Sequence, residues 1–181
     1  QKSLSGGTLT NVASQPSVNV TAASDGGTSC TVSPTTVTAG ATTTLDFTCT
    51  LASGGMNGGA ITIAIPSGWT APQTGTNNAA GYTTVLGSST AATPGTVAAS
   101  GQTITVSGIT GTGGQTVKVR YGDTGVSANG ATTAQAAGGT ASFTLQDKAT
   151  SGGTLTNVSN NPLSVTVNAP DGQGSCSVNP T

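Results

Sequence analysis

Leu45-Asp46-Phe47-Thr48-Cys49-Thr50-Leu51 places an apolar side chain at every second position with a polar one between. Successive side chains of a strand point to opposite faces, so a period of two predicts a half-buried β-strand. Leu45, Phe47, Cys49 and Leu51 face inward; Thr44, Asp46, Thr48 and Thr50 face out. The alternation recurs in both directions. Cys30 and Val32 precede it; Ile61, Ile63 and Ile65, then Ile104 and Val106, then Val117, Val119 and Tyr121 follow. Ala141, Phe143 and Leu145, Leu155 with Val158, and Leu163, Val165 and Val167 complete the inward rows. Turns separate them, such as Thr38-Ala39-Gly40-Ala41 and Pro66-Ser67-Gly68-Trp69. Thr and Val favour pleated strands and Gly and Asn interrupt helices, so the chain reads as β throughout. Short strands parted by turns at this spacing predict two facing sheets around one core, an all-β sandwich.

The pattern lapses twice, between Thr70 and Ser100 and from Gly122 to Gly139. These stretches are long loops or places where short edge strands hide from pattern reading. Asn129-Gly130 is read as a tight-turn tip.

An exact internal repeat sets the organisation. Ser5-Gly6-Gly7-Thr8-Leu9-Thr10-Asn11-Val12 recurs unchanged as Ser151-Gly152-Gly153-Thr154-Leu155-Thr156-Asn157-Val158, an offset of 146. The same offset carries Pro16 onto Pro162, Asp25-Gly26 onto Asp171-Gly172, Ser29-Cys30 onto Ser175-Cys176 and Pro34-Thr35 onto Pro180-Thr181. A fixed long period is the signature of tandem modules. Residues 1–25 are read as the closing strands of a preceding unit, 26–171 as a complete unit, and 172–181 as the first strand of a following one. The alternative is a single domain with a duplicated hairpin.

The period also accounts for three cysteines, because Cys176 is the copy of Cys30 and its partner would lie beyond residue 181. Within the unit, Cys30 with Cys49, Val32 with Phe47 and Pro34 with Leu45 stand opposite one another across a hairpin centred near Ala39. Opposed residues of an antiparallel pair lie within disulfide reach, so a Cys30–Cys49 bond is expected, and with it an oxidising compartment. Two buried free thiols are the alternative.

The runs Ile61-Thr62-Ile63-Ala64-Ile65-Pro66-Ser67-Gly68-Trp69-Thr70-Ala71-Pro72, Gly101-Gln102-Thr103-Ile104-Thr105-Val106, Gly114-Gln115-Thr116-Val117-Lys118-Val119-Arg120-Tyr121-Gly122 and Ser151-Gly152-Gly153-Thr154-Leu155-Thr156 carry a resemblance. The chain resembles the tandem immunoglobulin-like repeats of prokaryotic surface and adhesin-type proteins. That implies an immunoglobulin-like β-sandwich at the cell surface, serving as stalk, spacer, filament or adhesive tip. The sequence departs from antibody-type domains: Trp69 follows its strand, and no second-sheet Cys matches Cys49.

Composition excludes other classes. Only 5% of residues are charged and the net charge is −1, so no basic stripe exists for a nucleic-acid backbone or an anionic membrane. No apolar run approaches the roughly 18 residues of a membrane span. With no His and no Glu, the chain lacks the commonest general base, the commonest metal ligand and the paired-Glu device of glycoside hydrolysis, so no enzyme and no cofactor are expected.

Four groups of residues remain as candidate sites. Asp25 and Asp171 fall at unit junctions, where a turn is expected and weak calcium binding is the alternative, since calcium usually takes six to eight oxygens. Asp46 and Lys118 both point outward and are expected to form an exposed ion pair. Asn19 and Asn157 open glycosylation-acceptor triplets that are not equivalent under the repeat. Trp69 and Tyr82 form the one aromatic lead to a ligand, a sugar-stacking surface. The expected function is a structural repeat of an extracellular surface fibre, stalk or adhesin, whose partners are neighbouring repeats or protomers head to tail. A carbohydrate- or cell-binding adhesion module, taking a glycan or cell-surface ligand, and a strand-exchanged filament protomer are the alternatives.

Overall fold

The computed structural model describes residues 5–12, 14, 16–17, 24–86 and 92–170. Among them there is no α-helix; thirteen strands and one short 3-10 turn make up the regular structure. One sheet is four-stranded, in the order β1 (Ser29–Ser33), β4 (Leu45–Thr50), β9 (Thr116–Tyr121), β6 (Thr83–Leu86). The other runs β2 (Thr36–Thr38), β13 (Leu163–Asn168), β11 (Gly139–Thr150), β5 (Met56–Ala64), β8 (Thr103–Gly111), β7 (Thr96–Ser100), with β12 (Thr156–Asn157) added to the flank of β11. A small ribbon of β3 (Thr42–Thr43) and β10 (Thr132–Thr133) stands beside them.

The predicted inward rows meet as one core. Leu45, Phe47, Cys49, Val117, Val119 and Tyr121 of the first sheet face Ile61, Ile63, Ile104, Val106, Phe143, Leu145 and Val165 of the second, all buried. Phe143 is the contact between layers: its ring centroid lies 5.3 Å from Phe47 and 5.4 Å from Trp69, the latter edge to face. Two-sided burial of alternating rows is what holds a sandwich together, since each strand has only one apolar face to hide.

Cys30 pairs with Cys49 and Val32 with Phe47, as the alternation requires. The simple hairpin expected between them does not form. The pairing ends at Ser33 with Asp46; after Pro34 the chain crosses to the other sheet, where β2 runs parallel to β13 with Val37 opposite Val167. A second sheet edge offers Val37 burial and backbone partners that a turn over Ala39 would not.

The two pattern lapses hold edge strands rather than loops alone. β6 and β7 lie in the first and β10 in the second. Edge strands bury less of each face, and Thr83 and Ala99 occupy inward slots where a larger apolar residue would have shown the period. Asn129-Gly130 is not a hairpin tip. It belongs to the 3-10 turn Ala128–Gly130, capped by Ser127, with Gly130 buried where an added Cβ would strike the carbonyl oxygen of Asp123. Leu155, expected in the core, is 39% exposed. Strand β5 bulges at Asn57 and Gly58, both of which face Thr150 of the spine strand β11. Gly59 is obligatory beside that bulge, because a Cβ there would lie 2.4 Å from the Lys148 carbonyl oxygen.

Candidate functional site

The two ends of the sandwich carry most of the polar structure outside the ladders, and β11 runs from one to the other. At one end of the sandwich, Asp25 and Gly26 form a turn, with Gly26 at φ +76°. The Asp25 carboxylate accepts the backbone N–H of Ala149 at 2.7 Å and that of Thr154 at 2.8 Å, clasping the turn that closes β11. These two N–H donors hold its pKa below the usual carboxylate value. Gly153 makes room, since a Cβ there would come 2.6 Å from Asp25 Oδ1.

Beside the clasp, the Thr28 hydroxyl donates to Asp147 Oδ2 at 2.6 Å, and both side chains are buried. Burial pushes the Asp147 carboxyl up, against the opposing pull of Thr28 and of backbone N–H groups from Gly26 and Thr28. Ser159 N donates to the Thr28 carbonyl at 2.9 Å. Asn160 brackets Cys30, accepting its N–H at 2.9 Å and donating to its carbonyl at 2.5 Å, and Asn161 Oδ1 accepts from Leu145 N at 2.7 Å. The chain that follows the second octapeptide therefore stitches β1 to β11 through side-chain amides. Sequence reading missed these asparagines, because nothing in an isolated Asn-Asn-Pro marks it as a cross-layer staple.

The two octapeptides occupy different surroundings. In the second, Thr156 and Asn157 pair with Asp147 and Gln146, Val158 N donates to Leu145 O, and the Val158 side chain is 3% exposed. In the first, Leu9 is 74% and Val12 39% exposed, and Ser5–Val12 form a turn and irregular chain rather than a strand.

At the opposite end, the chain leaves β13 with the Asn168 carbonyl accepting Ala39 N at 2.8 Å, and Ala169 lies against Gly138. Loops from Trp69 to Tyr82 and Asp123 to Gln135 crown this end. Gln73 ties its own loop together through Thr76 and Ala79, Asn78 accepts from Ser127 and Asn129, and Asp123 accepts from Thr84 and Gly125. Tyr121 donates its hydroxyl to the Thr70 carbonyl, and burial pushes its pKa up to about 12.

The remaining sequence-predicted residues distribute as follows. Cys30 and Cys49 are bonded, with S–S 2.08 Å and Cα–Cα 4.0 Å. Trp69 is only 3% exposed and packs on Phe143, so its indole cannot serve as a sugar-stacking surface; Tyr82 is half-buried and forms no platform with it. The apolar slot at the end of β5 buries the indole because Pro66-Ser67-Gly68 turns it back over the core. Asp46 does meet Lys118, at 3.2 Å, but its stronger partner is Arg120, which sequence reading left out: Nε donates at 2.7 Å and the terminal nitrogen at 2.9 Å. Arg120 stands directly opposite Asp46 on β9, and its guanidinium holds the Asp46 carboxyl below the usual range. Each Asp25 oxygen accepts one backbone N–H, and no cluster of three metal-ligating side chains occurs among the described residues. Asn157 is exposed on β12, its Oδ1 accepting from Gln146 at 3.2 Å. Asn19, Asp171 and Cys176 lie outside the described residues.

No family model matches this chain. No curated protein matches it either. Among solved structures, it is similar to the bacterial hydrophobin BslA, at 15% identity and a TM-score of 0.48, over 81% of this chain and 98% of that one. A putative membrane-anchored protein from Corynebacterium diphtheriae is similar at 13% identity and a TM-score of 0.46, over 84% of this chain and 39% of that one. The Yersinia pseudotuberculosis adhesin InvE is similar at 17% identity and a TM-score of 0.31, over 78% and 26% respectively. The chain thus spans well under half the length of the latter two.

Proposed function

We propose that this chain is a structural repeat of an extracellular surface fibre, stalk or adhesin, built on an immunoglobulin-like sandwich with a period of 146 residues. One observation carries this reading: the octapeptide that completes the body at Ser151–Val158 is present a second time at Ser5–Val12, with its apolar side chains exposed. A segment whose sequence suits it to the flank of a β11 strand, in a chain whose own β11 already holds the other copy, belongs to another unit. Residues 1–25 then close a preceding unit, 26–171 form a complete one, and 172–181 open the next.

The rest of the molecule suits a load-bearing, non-catalytic role outside the cell. The Cys30–Cys49 bond fits an oxidising compartment. A surface of Thr, Ser, Ala and Gly with few charges presents no array of acids and bases. Repeat units contact chiefly their neighbours, so length grows without redesign of the unit. The partners are further copies head to tail.

The test is the size of the natural polypeptide on a denaturing, reducing gel, detected with an antibody to residues 26–171. One very large chain supports covalent tandem units. A small band of about one period would instead mean non-covalent protomers exchanging the 5–12 segment, and would overturn the tandem reading.

A further inference from the structure

The places where chain enters and leaves the unit define how successive units meet. Entry is fixed by Asp25, whose carboxylate is clasped by Ala149 N and Thr154 N. Exit is fixed by Asn168, bonded to Ala39, and by Ala169 against Gly138. Gly138 immediately precedes β11 and Ala149 is its last residue but one, so the two are eleven residues apart along nearly the whole strand. At about 3.3 Å per residue, the two points are separated by about 36 Å, the full height of the sandwich. The chain does not return to the end it entered.

The offset of 146 carries Asp25 onto Asp171, three residues beyond Asn168. Three residues span at most about 11 Å, and Pro170, within them, has its φ fixed. Resting on the tandem reading above, we infer that consecutive units are joined in line and stiffly. The Asp25 clasp is such a joint seen from its following unit, and the rise per unit is about 40 Å. The partner surface is therefore a second copy's entry end, made of its Ala52–Gly55, Gly111–Gly114 and Ser151–Thr154 turns. It faces this unit's exit-end loops around Tyr82 and Asn129. Only on the last unit of an array are those loops uncovered.

Small-angle scattering and negative-stain images of the natural chain, or of a stretch covering two or more consecutive periods, test this. In-line beads about 40 Å apart with a narrow spread of joint angles are expected. Inserting five Gly/Ser residues between Ala169 and Pro170 should widen that spread while leaving each unit's melting transition in place. Units folded side by side, a spacing under about 30 Å, or an angle spread indifferent to the insertion overturn the joint while leaving the tandem reading intact. A parent chain without a second period overturns both.

Discussion

The identical octapeptides supply a matched pair for one substitution. Val158→Ala removes two methyl groups from a side chain that is 3% exposed, seated where Val158 N meets the Leu145 carbonyl; Val12→Ala removes the same two from one that is 39% exposed. At about 0.8 kcal/mol per buried carbon the transfer loss at Val158 is about 1.6 kcal/mol, and the cavity left under β12 brings the total to roughly 2–3 kcal/mol. For a domain of this size that is a drop of about 4–12 °C in Tm. An exposed substitution costs under about 0.5 kcal/mol. Urea titration followed by the fluorescence of the single Trp69, which sits on Phe143 in the core, reads both on one scale. The slope against urea should be the same for both variants, since the surface exposed on unfolding hardly changes. Equal losses at the two positions, or a larger one at Val12, would refute the assignment of the second copy alone to this unit's body.

Four further outcomes are expected. Replacing both Cys30 and Cys49 by Ala opens a loop with a sequence separation of 19 and should cost about 3 kcal/mol, with dithiothreitol lowering Tm in the parent and not in the variant. Trp69→Ala should cost about 3–5 kcal/mol through the void left against Phe143; a loss under about 1 kcal/mol, with a glycan affinity removed, would restore the ligand role. Asp147 is held above its ordinary pKa of 3.8, so the native state binds the extra proton, and its contribution favours folding at low pH and is lost as pH rises through the folded pKa. Asp147→Asn should therefore gain stability relative to the parent between that unfolded value and the folded one, measured by denaturation at stepped pH; Asp46, shifted downward, gives the opposite trend, its contribution being lost as pH falls through its folded pKa. Finally, trypsin should spare Lys118, Arg120 and Lys148 in the native chain, because all three lie inside paired strands, and N-terminal sequencing of fragments cut at any of them would contradict this.

The inward rows were legible because the period of two depends only on backbone geometry. Phe47, Ile63, Val119 and Phe143 all fell where alternation placed them. The disulfide was legible for the same reason: opposed positions on paired strands follow from register. The path between its cysteines was not. Whether Val37 turns back or crosses to β13 depends on a free sheet edge contributed by residues more than a hundred positions away. Leu155 and Trp69 show the converse limit. A leucine three residues from a buried valine reads as core, and a tryptophan in a loop reads as surface, but what decides each is which neighbour covers it.

From the amino acids in order, two things about this protein were legible: an all-β body, because its apolar residues keep the step of a strand, and the recurrence of one octapeptide at an offset of 146, because identical strings need no coordinates to be matched. Tertiary structure alone decided the sheet order, the burial of Val158 beside the exposure of its counterpart Val12, and the roles of Asp25, Asn160 and Arg120. Those depend on contacts across 74 to 130 residues of chain, and a carboxylate or amide carries no mark in sequence of the distant N–H or guanidinium it will meet.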